Sequence, residues 1–384
     1  MNKRSIRILQ FTSVINKNDF IDTIIRFSDR RHYEFVAVRM NPVSNIQEPE
    51  YKDIQIPCYN LNEAMSLKGM LFSVFKLARI IRREHPDLIH AHHYYESIIA
   101  TFAVLLSFRK CRLIIGRHYH DELLITTRGL KLKMYLWFEN LANLFATLIV
   151  VPSTDIVRLL KQSGVPAAKI RLIPYGFDFT AEKYQQADEE KLVALRSAFL
   201  PEGQNPVIVN IARHSRVKGQ LYLIKAFHRF LEFQPNARLI LVGDGDMHAK
   251  LKEQVEILSL SSSIIFAGWR KDALDFIDLA DVLIHPTLQE AFPQIMIETM
   301  AKSCLLMVTP VSGANDVVQH LKNGYILPDN KPESIFQALQ WLMSDKERAR
   351  LIADQGKKDV YDNYDIRVVV KNFEHVYQEC ANEV

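Results

Sequence analysis

The segment HPTLQEAFPQIMIETMA, residues 285–301, carries two carboxylates, Glu290 and Glu298, on either side of Pro293. An apolar run at 281–284 precedes it and reads as a strand. Pro293 fits the first turn of a helix, where its missing N–H costs nothing. The N–H groups of Gln294 and Ile295 then face the carboxyl end of that strand and form an anion site. Carboxylates beside such a site do not bind the anion. They suit hydroxyl donors, such as those of a sugar. A capped helix with two exposed glutamates is the plain alternative, and spacing alone leaves both open.

A second segment, NIARHSRVKGQ at 210–220, places Arg213 and Lys218 in a short loop after an apolar run. A guanidinium fork and an ammonium point charge at one strand end suit a diphosphate, although a solvated basic loop has the same composition. In LVGDGD, 241–246, Gly243 and Gly245 let the backbone turn close to a ligand, or simply turn. Asp244 and Asp246 could hold Mg²⁺ through phosphates. That reading is set aside, because Arg213 and Lys218 already offer the neutralising charge. His90, His92, His93, His118 and His120 follow two further strand-like runs. Buried or surface histidines, a contact at a cleft edge, and a zinc site that lacks a completing ligand all fit them.

The elements that must position these groups follow from the rest of the pattern. At roughly 100–200 residues per domain, 384 residues make two domains. The 48% apolar content excludes a disordered chain. Cys58, Cys111, Cys304 and Cys380 have no short spacing, which excludes a disulfide scaffold or a cysteine zinc module. Apolar runs at 6–10, 34–38, 87–91, 113–115, 148–151 and 171–173, then at 207–211, 238–242, 264–266, 281–284, 305–308 and 325–327, read as strands covered on both faces. Helical stretches at 67–84, 220–233 and 332–343 lie between them. Strand–helix–strand order implies parallel sheets, so the fold class is α/β with two doubly wound halves. Ligands then belong outside the carboxyl ends of the strands. The charged stretch 181–205 is the expected linker, with 1–180 and 206–365 as the domains and a last helix near 366–384.

Arg7 interrupts any signal-peptide core, and the longest apolar run, 98–108, is shorter than the roughly 20 residues a span needs. The chain is therefore expected in the cytoplasm. Arg79, Arg82, Arg83, Arg109, Lys110, Arg112, Arg117, Arg128, Lys131 and Lys133 concentrate positive charge before the apolar stretch 134–145. A core helix with a solvated basic end is the expectation. A helix lying on an anionic membrane is the alternative. The net charge of +4 and the lack of a nucleic-acid motif speak against nucleic acid.

In order, HAHHYYES, VPSTDIVRLLKQSGVPAAKIRLIPYGFD, ARHSRVKG, LVGDGD, IIFAGWR, ADVLIHPTLQEAFPQIMIETMA and VSGANDVVQHLKNGYIL resemble the retaining family-4 glycosyltransferases (glycosyl transferases group 1) of the GT-B fold. The resemblance runs from about 87 to 327, and Glu290 and Glu298 match the family's Glu-x₇-Glu pattern. It implies two Rossmann-like domains facing a cleft, with the last helix crossing back to the first. It implies a nucleotide-diphospho-sugar donor, transfer with retention to a glycan or lipid-linked acceptor in cell-surface polysaccharide, lipopolysaccharide or glycolipid synthesis, and no required metal or other cofactor. Arg213 and Lys218 would hold the diphosphate, with Gly243 nearby. Glu298 would take the ribose hydroxyls, and Glu290 the donor sugar near its reacting carbon. The backbone of Phe292, Pro293, Gln294 and Ile295 would meet phosphate or sugar. His118 would sit at the reacting centre. A donor oxygen would help deprotonate the acceptor.

The chain departs from the family in FTSVINKNDF, which lacks the usual Gly-Gly loop, and in Ala212, Ala291, Pro293 and Tyr175. A non-catalytic partner of another transferase and a sugar-nucleotide epimerase are the other readings.

Overall fold

The computed structural model describes residues 4–13, 20–40, 55–64, 66–118, 128–200 and 205–382. The glycine-free loop at 14–19, His120 and part of the stretch 181–205 lie outside them. The chain divides into two units, Met1–Asp178 with Tyr364–Val384, and Phe179–Asn363.

The first unit is built on strands β1 (Ile6–Thr12), β2 (Tyr33–Arg39), β3 (Cys58–Asn60), β4 (Leu88–His92), β5 (Arg112–Gly116), β6 (Leu148–Val151) and β7 (Ile170–Leu172). All neighbours pair in parallel, in the order β3-β2-β1-β4-β5-β6-β7. Every residue of β4 and β6 is buried. Burial on both faces is why these strands read as unbroken apolar runs. The last helix, Ile366–Asn382, belongs to this unit. It buries Ile366, Val369, Val370, Phe373, Tyr377 and Cys380, a stripe at helical spacing, against Ile8, Ile24 and Phe35.

The second unit repeats the plan with β8 (Val207–Ile211), β9 (Arg238–Val242), β10 (Ile264–Gly268), β11 (Val282–His285), β12 (Leu305–Val308) and β13 (Tyr325–Ile326), ordered β10-β9-β8-β11-β12-β13. Its core joins Ile208, Leu241 and Ile284 from the sheet to Leu223, Phe227 and Leu339 from the helices Gln220–Leu231 and Pro332–Ser344. In each sheet the strand order reverses once, between β1 and β4 and between β8 and β11. Loops diverge there and leave a crevice at the strands' carboxyl ends.

Two elements differ from the sequence pattern. The stretch 181–205 is not an open connection. It contains the helix Glu189–Phe199, capped by Asp188, whose side chain accepts from Lys191 N at 2.8 Å. That helix is held to the second unit by the Lys191–Asp275 ion pair at 2.5 Å and the Phe199–Phe276 ring contact at 5.1 Å. Its sparse apolar content hid it, since Leu195 alone is buried. The helix Lys346–Tyr364 was equally silent, because its inner face is made largely of Ala349, Ala353 and Gly356.

Candidate active site

In the second unit the sequence-picked groups gather at the switch point. β8 delivers the loop carrying Arg213 and Lys218, and β11 ends at His285. The two loops are laced together. Leu288 N donates to Val217 O at 2.7 Å, and Thr287 Oγ1 to the same carbonyl at 3.0 Å. Asn210 Nδ2 donates to Ile284 O at 2.8 Å. The lacing brings the Lys218 ammonium onto Glu290 Oε1, an ion pair with both side chains 19% exposed. His285 Nε2 lies 3.4 Å from the same oxygen. Burial, then the Lys218 charge, pushes His285 down to about 3, so its imidazole is neutral. Arg213 is exposed and makes no ion pair among the described residues.

Pro293 caps the helix Gln294–Ala301 with extended backbone (φ −69°, ψ 109°), one position earlier than the first turn expected from its type. No side chain caps that end. The first N–H groups, those of Gln294 and Ile295, have no acceptor one turn back, so they are open to an anion. Phe292 and Pro293 are buried behind them, and Ser312 Oγ ties the loop by donating to Ala291 O at 3.0 Å. Glu298, just over one turn into the helix, is half-buried and has no hydrogen-bond or ion-pair partner among the described residues. Burial raises its pKa, and the Lys183 charge opposes that.

Gly243 has φ +137°, and a Cβ there would meet Ala212 O at 2.1 Å. Loop–loop packing therefore requires glycine with or without a ligand. Asp244 and Asp246 are both exposed. Asp244 Oδ1 accepts from Gly245 N at 2.7 Å and approaches His248.

In the first unit the histidines form a chain at the other switch point. Parallel pairing sets Gln10 beside His90 and His92 beside Gly116. His92 Nε2 lies 2.7 Å from Gln10 Oε1, His92 Nδ1 2.8 Å from His118 Nε2, and His118 Nδ1 3.0 Å from the Tyr175 hydroxyl. Gln10 Nε2 donates to the Tyr377 hydroxyl at 2.9 Å, which lies 3.1 Å from His90 Nδ1. The Gln10 oxygen only accepts, so His92 Nε2 carries the proton and its Nδ1 accepts from His118. His118 Nδ1 then accepts from Tyr175. Gly116 leaves room for this, since a Cβ would sit 2.6 Å from His118 Nε2 and 2.8 Å from His92 Nδ1. Burial pushes His90 down to about 3 and holds His92 and His118 well below the ordinary histidine range. Among the described residues these rings form no cluster with metal-ligand spacing: His92 and His118 spend both nitrogens on hydrogen bonds, and His90 spends Nδ1 on Tyr377 while its buried Nε2 has no partner. His118, the residue the motif assigns to the reacting centre, has both ring nitrogens engaged. The partner that engages Nδ1 is Tyr175, where the family pattern often has Asn.

The helix Gly129–Phe145 buries only Ala142 and Asn143, so it is not the core helix expected from its apolar content. Leu130, Met134 and Trp137 are 83%, 50% and 59% exposed. With Leu67–Glu84 and Tyr94–Ser107 it lines an apolar groove of about 390 Å³, bounded by Leu67, Leu71, Ile98, Phe102, Met134 and Phe138. Lys68, Arg128, Lys131 and Lys133 are exposed beside it, whereas Arg117 is buried and paired with Glu139 at 3.1 Å. None of the described helices is long and apolar enough to cross a membrane.

Comparison with known proteins agrees with this architecture. Residues 21–181 match the model of Glycosyltransferase Family 4, and residues 194–359 that of Glycosyl transferases group 1. The chain is 25% identical over 324 residues to the UDP-Gal:alpha-D-GlcNAc-diphosphoundecaprenol alpha-1,3-galactosyltransferase of Escherichia coli, covering 81% of this chain and 80% of that one. It is 23% identical to the capsular polysaccharide biosynthesis glycosyltransferase CapM of Staphylococcus aureus, with 83% of each covered. The crystal structure of Anabaena HepE in complex with UDP shares the fold at a TM-score of 0.80 and 21% identity, covering 98% of this chain and 100% of that one.

Proposed function

Because the chain belongs to the group 1 glycosyltransferases of the GT-B fold, we propose that it transfers a sugar with retention from a nucleotide-diphospho-sugar to a glycan or lipid-linked acceptor in cell-surface polysaccharide or glycolipid synthesis. The observation that carries this reading is the convergence of Lys218, Glu290 and His285 beside the helix Gln294–Ala301, which no side chain caps, with exposed Arg213 on the same loop making no ion pair among the described residues. Fixed cations and oriented N–H groups stabilise charge where it develops on a leaving diphosphate. Lys218 and Arg213 would hold the diphosphate on its way out. Glu290, which steadies Lys218, would face the donor sugar. Glu298 would take the ribose hydroxyls. These groups supply the positive charge that Mg²⁺ supplies elsewhere, so no Mg²⁺ is needed for the step.

The test is a thermal-shift panel of UDP, GDP, ADP and CMP, with their sugar conjugates, in EDTA. UDP comes first, because the E. coli relative is named for a UDP-sugar. A nucleotide at 100 times its dissociation constant adds about 2.7 kcal/mol of stability. No shift with any of them overturns the donor assignment, and a shift or turnover that needs Mg²⁺ overturns its metal independence.

The exposed apolar helix supports a second statement about the same reaction. The groove beside Gly129–Phe145, ringed by lysines, would rest on an anionic membrane where a lipid-linked acceptor resides. Sedimentation with phosphatidylglycerol vesicles, and not with phosphatidylcholine vesicles, is the expected result. Trp137→Glu should abolish it. Equal binding to both vesicles, or to neither, removes the membrane from the reading.

A further inference from the structure

One cluster in the second unit lies outside the roles given above. His214 follows Arg213 in the loop after β8. Asp244 lies in the turn after β9, and His248 opens the helix His248–Ile257. Backbone bonds hold the three in register: His214 N to Asp244 O at 2.9 Å, Met247 N to His214 O at 3.0 Å, and His248 N to Gly245 O at 3.0 Å. The side chains converge. His214 Nδ1 and His248 Nδ1 are 2.9 Å apart, and His248 Nδ1 is 3.5 Å from Asp244 Oδ1. One ligand atom from each lies within 4.8 Å of the others. A second observation is the His214 ring itself. It is 0% exposed, and its Nε2 has no partner. His90 and His285 also have a buried ring nitrogen without a partner; what sets His214 apart is that its other nitrogen, Nδ1, meets a second imidazole beside a carboxylate.

We propose that His214, Asp244 and His248 bind a divalent cation of the zinc class. Two imidazoles and a carboxylate are the ligand set such ions take, whereas Mg²⁺ prefers oxygen ligands. Zinc–nitrogen bonds of about 2.0–2.1 Å in tetrahedral array put ligand atoms about 3.3 Å apart. The 2.9 and 3.5 Å separations straddle that value. The ligand set runs from buried His214 to Asp244, whose side chain is 63% exposed, so the ion has a route from solvent. Three protein ligands leave a fourth position for water. The ion would tie the loop bearing Arg213 to the turn bearing Gly243. It would act as a brace and take no part in the transfer step. This site is independent of the histidine chain in the first unit.

The experiment strips the full-length protein with chelator, then titrates Zn²⁺ by calorimetry and Co²⁺ by visible absorption. The expected result is stoichiometric binding, a rise in melting temperature with Zn²⁺ but not with Mg²⁺, and Co²⁺ bands of a tetrahedral site. His248→Ala, a change at a partly exposed helix position, should weaken binding by more than the roughly 10–100-fold typical of losing an outer-shell partner. Asp244→Asn should weaken it in the same direction. Absence of stoichiometric binding, or unchanged affinity in both variants, overturns the site. Nucleotide binding is read separately on the stripped protein, so failure of the donor assignment and failure of this one are told apart.

Discussion

The two sheets reverse strand order in the same way and place polar side chains at the same edge, yet they treat those side chains oppositely. In the first unit Gln10, His90, His92, His118, Tyr175 and Tyr377 form a hydrogen-bonded chain in which His90 Nε2 is the one buried ring nitrogen without a partner among the described residues. In the second, Arg213 and Glu298 have no ion-pair partner among the described residues and the first N–H groups of Gln294–Ala301 lack a side-chain cap. A closed polar network stabilises the fold, because its groups would cost free energy if orphaned. An open set costs stability and is kept where a ligand completes it. Strand order marks both edges as crevices. Polar satisfaction separates the two, and under the proposed function the open edge is the donor side.

Lys218→Ala should show the largest effect on the open side. Transfer should fall about 10²–10³-fold, the loss typical of removing one charge-stabilising donor. Stability should fall by about 1–3 kcal/mol, since the largely buried Glu290 carboxylate loses its cation. Full turnover in the purified variant would break the assignment of the diphosphate to this loop.

On the closed side the matching test is pH. An unfolded histidine takes up a proton below 6.5, while folded His90 resists down to about 3 and His92 and His118 stay well below 6.5 as well. The unfolded chain then binds more protons, so stability is full above 6.5 and falls as pH drops. His90 alone costs about 2 kcal/mol at pH 5, and His92 and His118 act in the same direction. Glu96 runs the other way. Burial raises it from 4.5 to about 7, so its contribution is present at low pH and lost as pH rises through 7. It offsets roughly 2–3 kcal/mol of the histidine loss. With three histidines against one carboxyl, urea unfolding should therefore show a net fall in stability between pH 8 and pH 5. A flat profile would mean that the histidines accept protons in the folded state and that the network is open.

His118→Ala separates the two regions at one residue. Removing it takes the partner of the buried His92 Nδ1 and one partner of the Tyr175 hydroxyl, so unfolding free energy should drop by about 2 kcal/mol. Tyr175→Phe should reproduce part of that drop. A His118 that served the reacting centre alone would instead lose turnover at unchanged stability.

Much of this was legible in the sequence for a physical reason. Parallel strands buried on both faces need continuous apolar runs, so β4, β6, β8 and β12 announced themselves. Glu290, Glu298, Arg213 and Lys218 stood out because charge next to a buried strand must be explained. What stayed hidden depends on contacts between distant segments. Tyr175 closing on His118, and Tyr377 from the last helix reaching Gln10, are separations that no spacing rule covers. Gly243 suggested a ligand, but its glycine answers to the Ala212 carbonyl. The exposed face of Gly129–Phe145 was read as core because composition reports that a helix is apolar and not which surface covers it.

Glu298→Gln is the smallest expected effect and the sharpest test of the contrast. A carboxylate accepts hydroxyl hydrogen bonds more strongly than an amide oxygen does. Affinity for the nucleotide that gives the largest thermal shift should therefore fall by about tenfold, or 1.4 kcal/mol. Stability should move the opposite way from the His118 variant. Burial raises the pKa of Glu298, which means the folded state disfavours its charge relative to the unfolded chain at neutral pH. A neutral amide removes that penalty, so the unfolding free energy of the variant should be no lower than that of the wild type. A drop in stability would show that the carboxylate is already satisfied within the fold, which would place this residue with the closed network. Unchanged nucleotide affinity would show that it faces no hydroxyl. Weaker binding at undiminished stability is the signature of a group kept unpaired for its ligand.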